Sequence, residues 1–382
     1  MTHPVKYPFL SLADANLPYL DDMRRAACRV IDSGRYVGGP EVEALESELA
    51  AMMRAPHVVA VSNGLDALRL TLRAWVAMGR LAPGDEVIVP ANTYIASVLA
   101  IVDAGLVPVP AEPSELTMNL DTAALERYLT PRTKAIMPVH LYGLVCWDPA
   151  LVSFIRANNL LVLEDCAQAI GARANLPGLF GSEMAGALGH AGALSFYPTK
   201  NIGALGDAGA VITHDAELAA MVRTLANYGA DRRYHNIEAG FNCRMDPIQA
   251  AMLRVKLPHT AEENADRFAR ALAYIREINH PKVITPAIPQ AVTDHVWHQF
   301  VVRVTDGCRD AFMKRLEELG VATDIHYAVP PHLQPCFAGK LPHAPLPVTE
   351  RLAGEILSLP IGRGTSVKDA ADIARLINTI DL

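Results

Sequence analysis

Residues 195–209 read S-F-Y-P-T-K-N-I-G-A-L-G-D-A-G. A strand-like apolar run, G-A-L-S-F-Y-P (192–198), ends there. A lone lysine follows at Lys200, and a glycine-rich turn leads to a second apolar run, G-A-V-I-T (209–213). Lysine suits such a place poorly, because its charge is costly to bury where backbone packs closely. Either Lys200 extends into solvent from an ordinary loop, or the position needs an amine.

Outward from this stretch, short apolar runs alternate with helix-length segments. H-V-V-A-V-S (57–62), D-E-V-I-V-P (85–90), L-V-P-V-P (106–110), K-A-I-M-P-V-H (134–140) and L-L-V-L-E-D (160–165) are strand-like. Between them, L-D-A-L-R-L-T-L-R-A-W-V-A-M-G, Y-I-A-S-V-L-A-I-V-D-A-G and A-L-V-S-F-I-R-A-N-N have helical spacing. This pattern predicts an α/β fold with a mostly parallel sheet covered on both faces. Ligands of such folds collect at the carboxyl ends of the strands. Two helices are expected before the sheet, the first over D-A-N-L-P-Y-L-D-D-M-R-R-A-A-C-R-V-I-D-S and stopped by Gly34, the second begun by Pro40. After about residue 250 the texture changes to a long polar helical stretch, short strands and a proline-rich loop. We therefore divide the chain into a large domain over 1–253 and a smaller C-terminal α+β domain over 254–382.

The bulk properties exclude several classes. Of 382 residues, 51% are hydrophobic and 20% charged, as in an ordinary globular protein. A net charge of −7 argues against a nucleic-acid binder that works by neutralising phosphates. No apolar run approaches membrane-spanning length, and the first twenty residues lack the layout of a secretory signal, so a cytoplasmic protein is expected. The six cysteines are scattered singly and the thirteen histidines show no ligand spacing, so neither disulfides nor a metal site is expected.

Four strand ends carry candidate chemistry. In V-S-N-G-L-D-A-L (61–68), Asn63 is a good helix cap and Gly64 admits close approach. The helix start there is either a plain capped turn or an anion site. In L-E-D-C-A-Q (163–168), Asp165 caps a helix, binds a metal or partners a buried cation; no further ligands accompany it, which disfavours metal. Tyr94, in V-P-A-N-T-Y, serves packing or recognition, and Ser195 stands five residues before Lys200. Together an anion site, an aromatic face, a carboxylate and an amine are what pyridoxal 5'-phosphate requires. Its phosphate would sit at Asn63 to Leu65 with Ser195, and Tyr94 would stack on the ring. Asp165 would keep the ring nitrogen protonated, and Lys200 would form the Schiff base and shuttle the proton.

S-F-Y-P-T-K-N with G-x-x-G-D-A-G, the E-D-C-A-Q segment, the S-N-G-x-D-A-L turn and S-G-R-Y-V-G-G-P-E-V-E-A-L-E (33–46) resemble the DegT/DnrJ/StrS nucleotide-sugar aminotransferases, fold-type I pyridoxal-phosphate enzymes. P-V-H-L-Y-G (138–143), G-F-N-C-R-M-D (240–246) and I-H-Y-A-V-P-P-H-L-Q-P (325–335) extend the resemblance to the C-terminal part. It implies that Lys200 is the Schiff-base lysine, that Asp165 pairs with the ring nitrogen and that Gln168 packs on the ring. It places Tyr94 against the cofactor and Gly64, Leu65 and Ser195 at the phosphate. Asn242 would reach the phosphate from the other subunit of a homodimer. Many relatives have threonine where this chain has Leu65, which keeps the backbone contact but not a side-chain hydroxyl.

The resemblance also implies a direction. L-glutamate, leaving as 2-oxoglutarate, gives the pyridoxamine phosphate form, which aminates a keto group on a nucleotide-linked hexose. The Lys200 and 325–335 motifs are similar to those of enzymes acting at C-3 of dTDP-3-oxo-6-deoxyhexoses, whose products enter O-antigen or S-layer glycans. The rival is amination at C-4 of a dTDP- or UDP-linked sugar. A deoxygenating relative would carry histidine in place of Lys200, and a non-catalytic regulator would need neither Lys200 nor Asp165. His326 and His332 either line the sugar pocket or belong to a rigid surface loop. Arg244 contacts diphosphate or only a neighbouring carboxylate.

Overall fold

The computed structural model describes residues 5–289, 291–342 and 344–381. Helices α1 (Leu12–Asn16), α2 (Leu20–Ser33) and α3 (Pro40–Met53) open the chain. The sequence reads α1 and α2 as one helix. Pro18 instead lies in a 3-10 turn over Leu17–Tyr19 that separates them, since proline lacks the donor a continuous helix needs. Gly34 ends α2 at a φ of 66°, and Pro40 starts α3, both as expected.

The main sheet and its helices follow as β1 (His57–Val61), α4 (Gly64–Ala77), β2 (Glu86–Pro90), α5 (Ile95–Asp103), β3 (Val107–Ala111), β4 (Thr133–Ile136), α6 (Pro149–Asn158), β5 (Leu161–Asp165), β6 (Ala191–Ser195), β7 (Gly209–Thr213) and α7 (Ala216–Ala226). The seven strands lie in the order β1-β7-β6-β5-β4-β2-β3. β7 pairs antiparallel with both β1 and β6, and the other pairings are parallel. The exception has a local cause. Parallel neighbours need a crossover, usually a helix, but residues 196–208 contain none, so the chain turns straight back. Lys200 sits in that return, just past the carboxyl end of β6.

Both faces of the sheet are apolar because alternate residues on each strand point to opposite sides. Val59 and Val61 of β1, Val87 and Val89 of β2, Leu163 of β5 and Val211 of β7 share one core with α4, α5 and α7. On the other face, Val58, Ala60 and Ile212 pack with α3, while Ile88, Ile136 and Val162 pack with α6.

The remaining elements are a small hairpin, β8 (Ala230–Arg232) with β9 (His235–Asn236), then α8 (Pro247–Lys256), α9 (Thr260–Glu277), β10 (Val283–Ile284), β11 (Phe300–Val304), α10 (Arg309–Glu318), α11 (Pro347–Glu355), β12 (Ile356–Leu359) and α12 (Val367–Asn378). β10, β11 and β12 form a second, antiparallel sheet with its own core, built around Tyr274, Phe300, Phe312 and Ile373. Tyr7 joins this core and bridges to Val321. Among the described residues no helix is long and apolar enough to cross a membrane.

Candidate active site

Strand ends and loops of the main sheet meet the segment before β11 and residues 326–327 around a cavity of about 530 Å³. Lys200, Asp165, Gly64, Leu65, Tyr94, Gln168, Ser195 and His326 all line it. Residues from 64 to 326 in the sequence are thus brought to one place.

Asn63 caps α4 by accepting a 2.8 Å hydrogen bond from the Asp66 N–H, as its sequence position predicts. The N–H groups of Gly64 and Leu65 belong to the first turn, which offers them no carbonyl within the helix. A Cβ on Gly64 would come within 2.7 Å of the Ser195 Cβ, so only glycine lets the helix start approach β6 this closely. Two backbone donors, a hydroxyl and the positive end of a helix dipole therefore share one corner of the cavity.

At the end of β5 the side chains of Glu164 and Asp165 diverge by strand alternation. Asp165 faces the cavity and is buried. Its Oδ2 accepts from Ser97 Oγ at 2.7 Å and its Oδ1 from the Ala167 N–H at 3.1 Å. Ser97 is in turn 2.9 Å from Thr93 Oγ1. Thr93 and Ser97 carry no prediction from the sequence, although both lie within three residues of Tyr94 and the T-x-x-x-S spacing spans the start of α5. Glu164 faces the other way and is saturated by the N–H groups of Gly186, Leu188 and Gly189 and by His140. Donor atoms of His140, Glu164 and Cys166 lie within 4.8 Å of one another. His140 Nδ1 already accepts from the Cys146 N–H, so both imidazole nitrogens are committed, and this cluster is a structural hydrogen-bond network.

Lys200 Nζ has no hydrogen-bond acceptor among the described residues. Burial pushes its amine down to about 8, and the Asp165 carboxylate opposes that fall. An amine with this property exists in its uncharged, nucleophilic form near neutral pH far more often than a surface lysine. Gln168 accepts from the Tyr142 N–H and donates to Tyr327 Oη at 2.9 Å. Tyr142 is held in the left-handed region, φ 59°, and its hydroxyl donates to the His326 carbonyl. Tyr94 stands at the rim, 54% exposed, its ring 5.0 Å from that of Tyr327. Tyr327 lines the cavity and was missed because an aromatic in a loop after a strand-poor stretch carries no periodic signal.

His326 lines the cavity, bonds Ser358 Oγ through Nδ1 at 2.9 Å, and is pushed towards its neutral form chiefly by burial. His332 does not line it. Its side chain is buried in the 3-10 turn Pro331–Leu333, with Nε2 3.2 Å from Glu350. Arg244 also lies outside this chain's cavity, donating to Asn227 Oδ1 at 2.9 Å. Asn242 is exposed and its backbone bridges to Asn227.

Residues 20–378 match the DegT/DnrJ/EryC1/StrS aminotransferase family. The chain belongs to that family. It is similar to the erythromycin biosynthesis sensory transduction protein EryC1 of Saccharopolyspora erythraea, 46% identical over 96% of each chain. It is similar to a dTDP-3-amino-3,6-dideoxy-alpha-D-galactopyranose transaminase of Aneurinibacillus thermoaerophilus, 42% identical over 97% of this chain and 98% of the relative. The crystal structure of S. venezuelae DesV in complex with a ketimine intermediate superposes with a TM-score of 0.91 at 41% identity, covering 99% of this chain and 100% of that one. The fold is that of the fold-type I pyridoxal-phosphate enzymes, the protein is an aminotransferase, and its cofactor is pyridoxal 5'-phosphate.

The cavity fits that cofactor. The corner at Gly64, Leu65 and Ser195 has donors for a phosphate and excludes a larger side chain at residue 64. The Asp165 carboxylate is fixed from both oxygens and buried, as an anion must be to hold a proton on a ring nitrogen. Lys200 is half-buried, and its amine makes no hydrogen bond among the described residues. When bound, the cofactor supplies a carbonyl that takes up the amine and a ring that withdraws electrons.

Proposed function

We propose that this protein transfers an amino group from L-glutamate to the C-3 keto group of a dTDP-3-oxo-6-deoxyhexose, giving a dTDP-3-amino-3,6-dideoxyhexose. Lys200 holds the cofactor and, once released, carries the proton to and from the substrate carbon. Asp165, oriented by Ser97 and the Ala167 N–H, keeps the ring nitrogen protonated. Gln168 and Tyr94 bound the ring, and Gly64, Leu65 and Ser195 bind the phosphate. Asn242, exposed in this chain, completes the phosphate site of a second copy in a homodimer. His326 contacts the sugar. Arg244 and His332 carry less weight, since each is engaged within the chain away from the cavity.

The observation that carries the C-3 assignment is the position of the I-H-Y segment, 325–327. His326 and Tyr327 enter the cavity that holds Lys200, and Tyr327 bonds Gln168 at 2.9 Å. This is the segment whose motif resembles the C-3 enzymes, and the Aneurinibacillus relative named above is a 3-amino-sugar transaminase. A test uses the enzyme in its pyridoxamine phosphate form, freed of excess amino acid and offered dTDP-3-oxo- or dTDP-4-oxo-6-deoxyhexose separately. Return of the pyridoxal absorbance with the 3-oxo sugar alone is expected. Return with the 4-oxo sugar alone overturns the position while keeping the transfer.

The name of the EryC1 relative favours a second reading, a regulator that binds cofactor without turnover. It predicts no spectral change with either sugar or with any amino donor. The unpaired Lys200 beside a fixed Asp165 supports turnover instead.

A further inference from the structure

The residue after the candidate Schiff-base lysine, Asn201, is the middle of a chain of amides with a fixed direction. The Asn264 Nδ2 donates to the Ile170 carbonyl at 3.0 Å, which leaves Asn264 Oδ1 to accept. It accepts from Asn201 Nδ2 at 2.8 Å, and the same Nδ2 also donates to the Val296 carbonyl at 2.9 Å. Backbone carbonyls only accept, so neither amide can be turned round without setting oxygen against oxygen. Asn201 Oδ1 therefore faces His298, whose Nδ1 lies 3.1 Å away. The only group in that pair able to donate is the imidazole N–H, so His298 carries its proton on Nδ1.

A neutral imidazole protonated on Nδ1 has a bare lone pair on Nε2. His298 is buried, at 5% exposure, and lines the same cavity as Lys200. Nε2 has no hydrogen-bond partner among the described residues. Three basic groups surround the ring: Lys200 from the turn after β6, Arg267 from α9 and His326 from the segment between α10 and α11. Burial, chiefly, and these neighbours hold the imidazole well below its ordinary range, hence uncharged. Its backbone is pinned as well. Arg267 Nη1 donates to the carbonyls of Trp297 and His298 at 3.2 Å each, and Trp297 sits in the left-handed region at φ 49°.

We propose that His298 is a positioning residue for Lys200: once substrate has displaced the lysine amine from the cofactor, the flexible Lys200 side chain turns within the shared cavity so that His298 Nε2 accepts a hydrogen bond from it. This orients the Lys200 lone pair and remaining hydrogens towards the substrate carbon for the proton transfer. A charged imidazole could neither accept nor stand beside an ammonium, which gives the fixed tautomer and the enforced neutrality one purpose. The step moves a proton only, with no oxidation or reduction. The proposal rests on the aminotransferase chemistry of the family and is independent of the keto sugar and of glutamate.

The test uses protein labelled with ¹⁵N-histidine and loaded directly with pyridoxamine phosphate, which leaves Lys200 free. The His298 signals are assigned by their loss in His298→Gln. Nδ1 is expected protonated and Nε2 bare from about pH 9 down to about pH 6. Protonation of Nε2 in that range, in either tautomer or as imidazolium, overturns the proposal without reference to any activity. For function, an acceptor favours the charged amine, so its loss lowers the Lys200 pKa further. The ascending limb of the amino-donor half-reaction is expected to move to lower pH in His298→Leu. The maximal rate should fall on the order of tenfold or more while donor KM stays within about twofold. His298→Gln, which places an amide oxygen near Nε2, should restore the limb. An unmoved limb in a folded His298→Leu shows a structural role only and overturns the assignment.

Discussion

Two lysines and two acids of matching chemistry divide in this fold between the cavity and the structure around it. Lys200 and Asp165 face the cavity; Lys256 and Glu164, of the same chemistry but on separate elements, lie outside it. Burial pushes both amines down to about 8, so a depressed pKa does not separate them. Hydrogen bonding does. Lys256 Nζ donates to the Gly203 carbonyl at 2.7 Å, and Glu164 accepts from three backbone N–H groups and His140. These two groups are consumed separately, Lys256 in holding the Lys200 loop and Glu164 in holding the segment 186–189. Lys200 keeps its amine uncommitted and sits in reach of the Asp165 field. Free bonding capacity in a cavity, rather than burial or titration alone, marks the reactive pair.

The comparison can be broken by substitution. Lys200→Ala should lower amino transfer on the order of 10⁴-fold, measured as conversion of the cofactor spectrum by the amino donor. Asp165→Asn should keep much of the cofactor bound and slow the same conversion on the order of 10²-fold, since the ring nitrogen loses its counter-charge. At Glu164 and Lys256 the effect should move from rate to stability. Glu164→Gln sets an amide N–H against backbone donors and should cost about 1–3 kcal/mol in denaturant unfolding, with the rate per folded molecule kept within a few-fold.

Lys256→Met should have the smallest effect, and its sign depends on pH. The amine titrates near 8 when folded and near its ordinary 10.5 when unfolded. Between those values the unfolded chain binds more protons, so stability rises with pH there. The variant should lose part of that rise, seen as a smaller difference in thermal midpoint between about pH 7.5 and about pH 10.

Much of the main sheet was legible because its strands are short apolar runs and its helices have a clear period. All seven strands fall on the runs read from the sequence. The reversed direction of β7 was not, since an apolar run carries no direction; the missing crossover in 196–208 was the available signal. Proline breaks were underweighted twice, at Pro18 and at Pro258, each of which lies in a 3-10 turn between two helices. At the site, residues on strand ends were readable because a polar residue closing an apolar run stands out. Thr93, Ser97, Tyr142, His298 and Tyr327 were not read, since their roles depend on contacts across long sequence separations. His332 shows the converse. Its motif was visible, but the turn that carries it directs the ring to Glu350 rather than to the cavity.

The most direct measurement is a rapid-mixing absorbance trace of the pyridoxal-phosphate-loaded protein with L-glutamate, run beside Lys200→Ala prepared the same way. Conversion of the cofactor to its amine form by the wild type, with the variant slower by about 10³-fold or more, is predicted. Conversion of the variant at the wild-type rate would contradict the assignment of the reactive amine to Lys200.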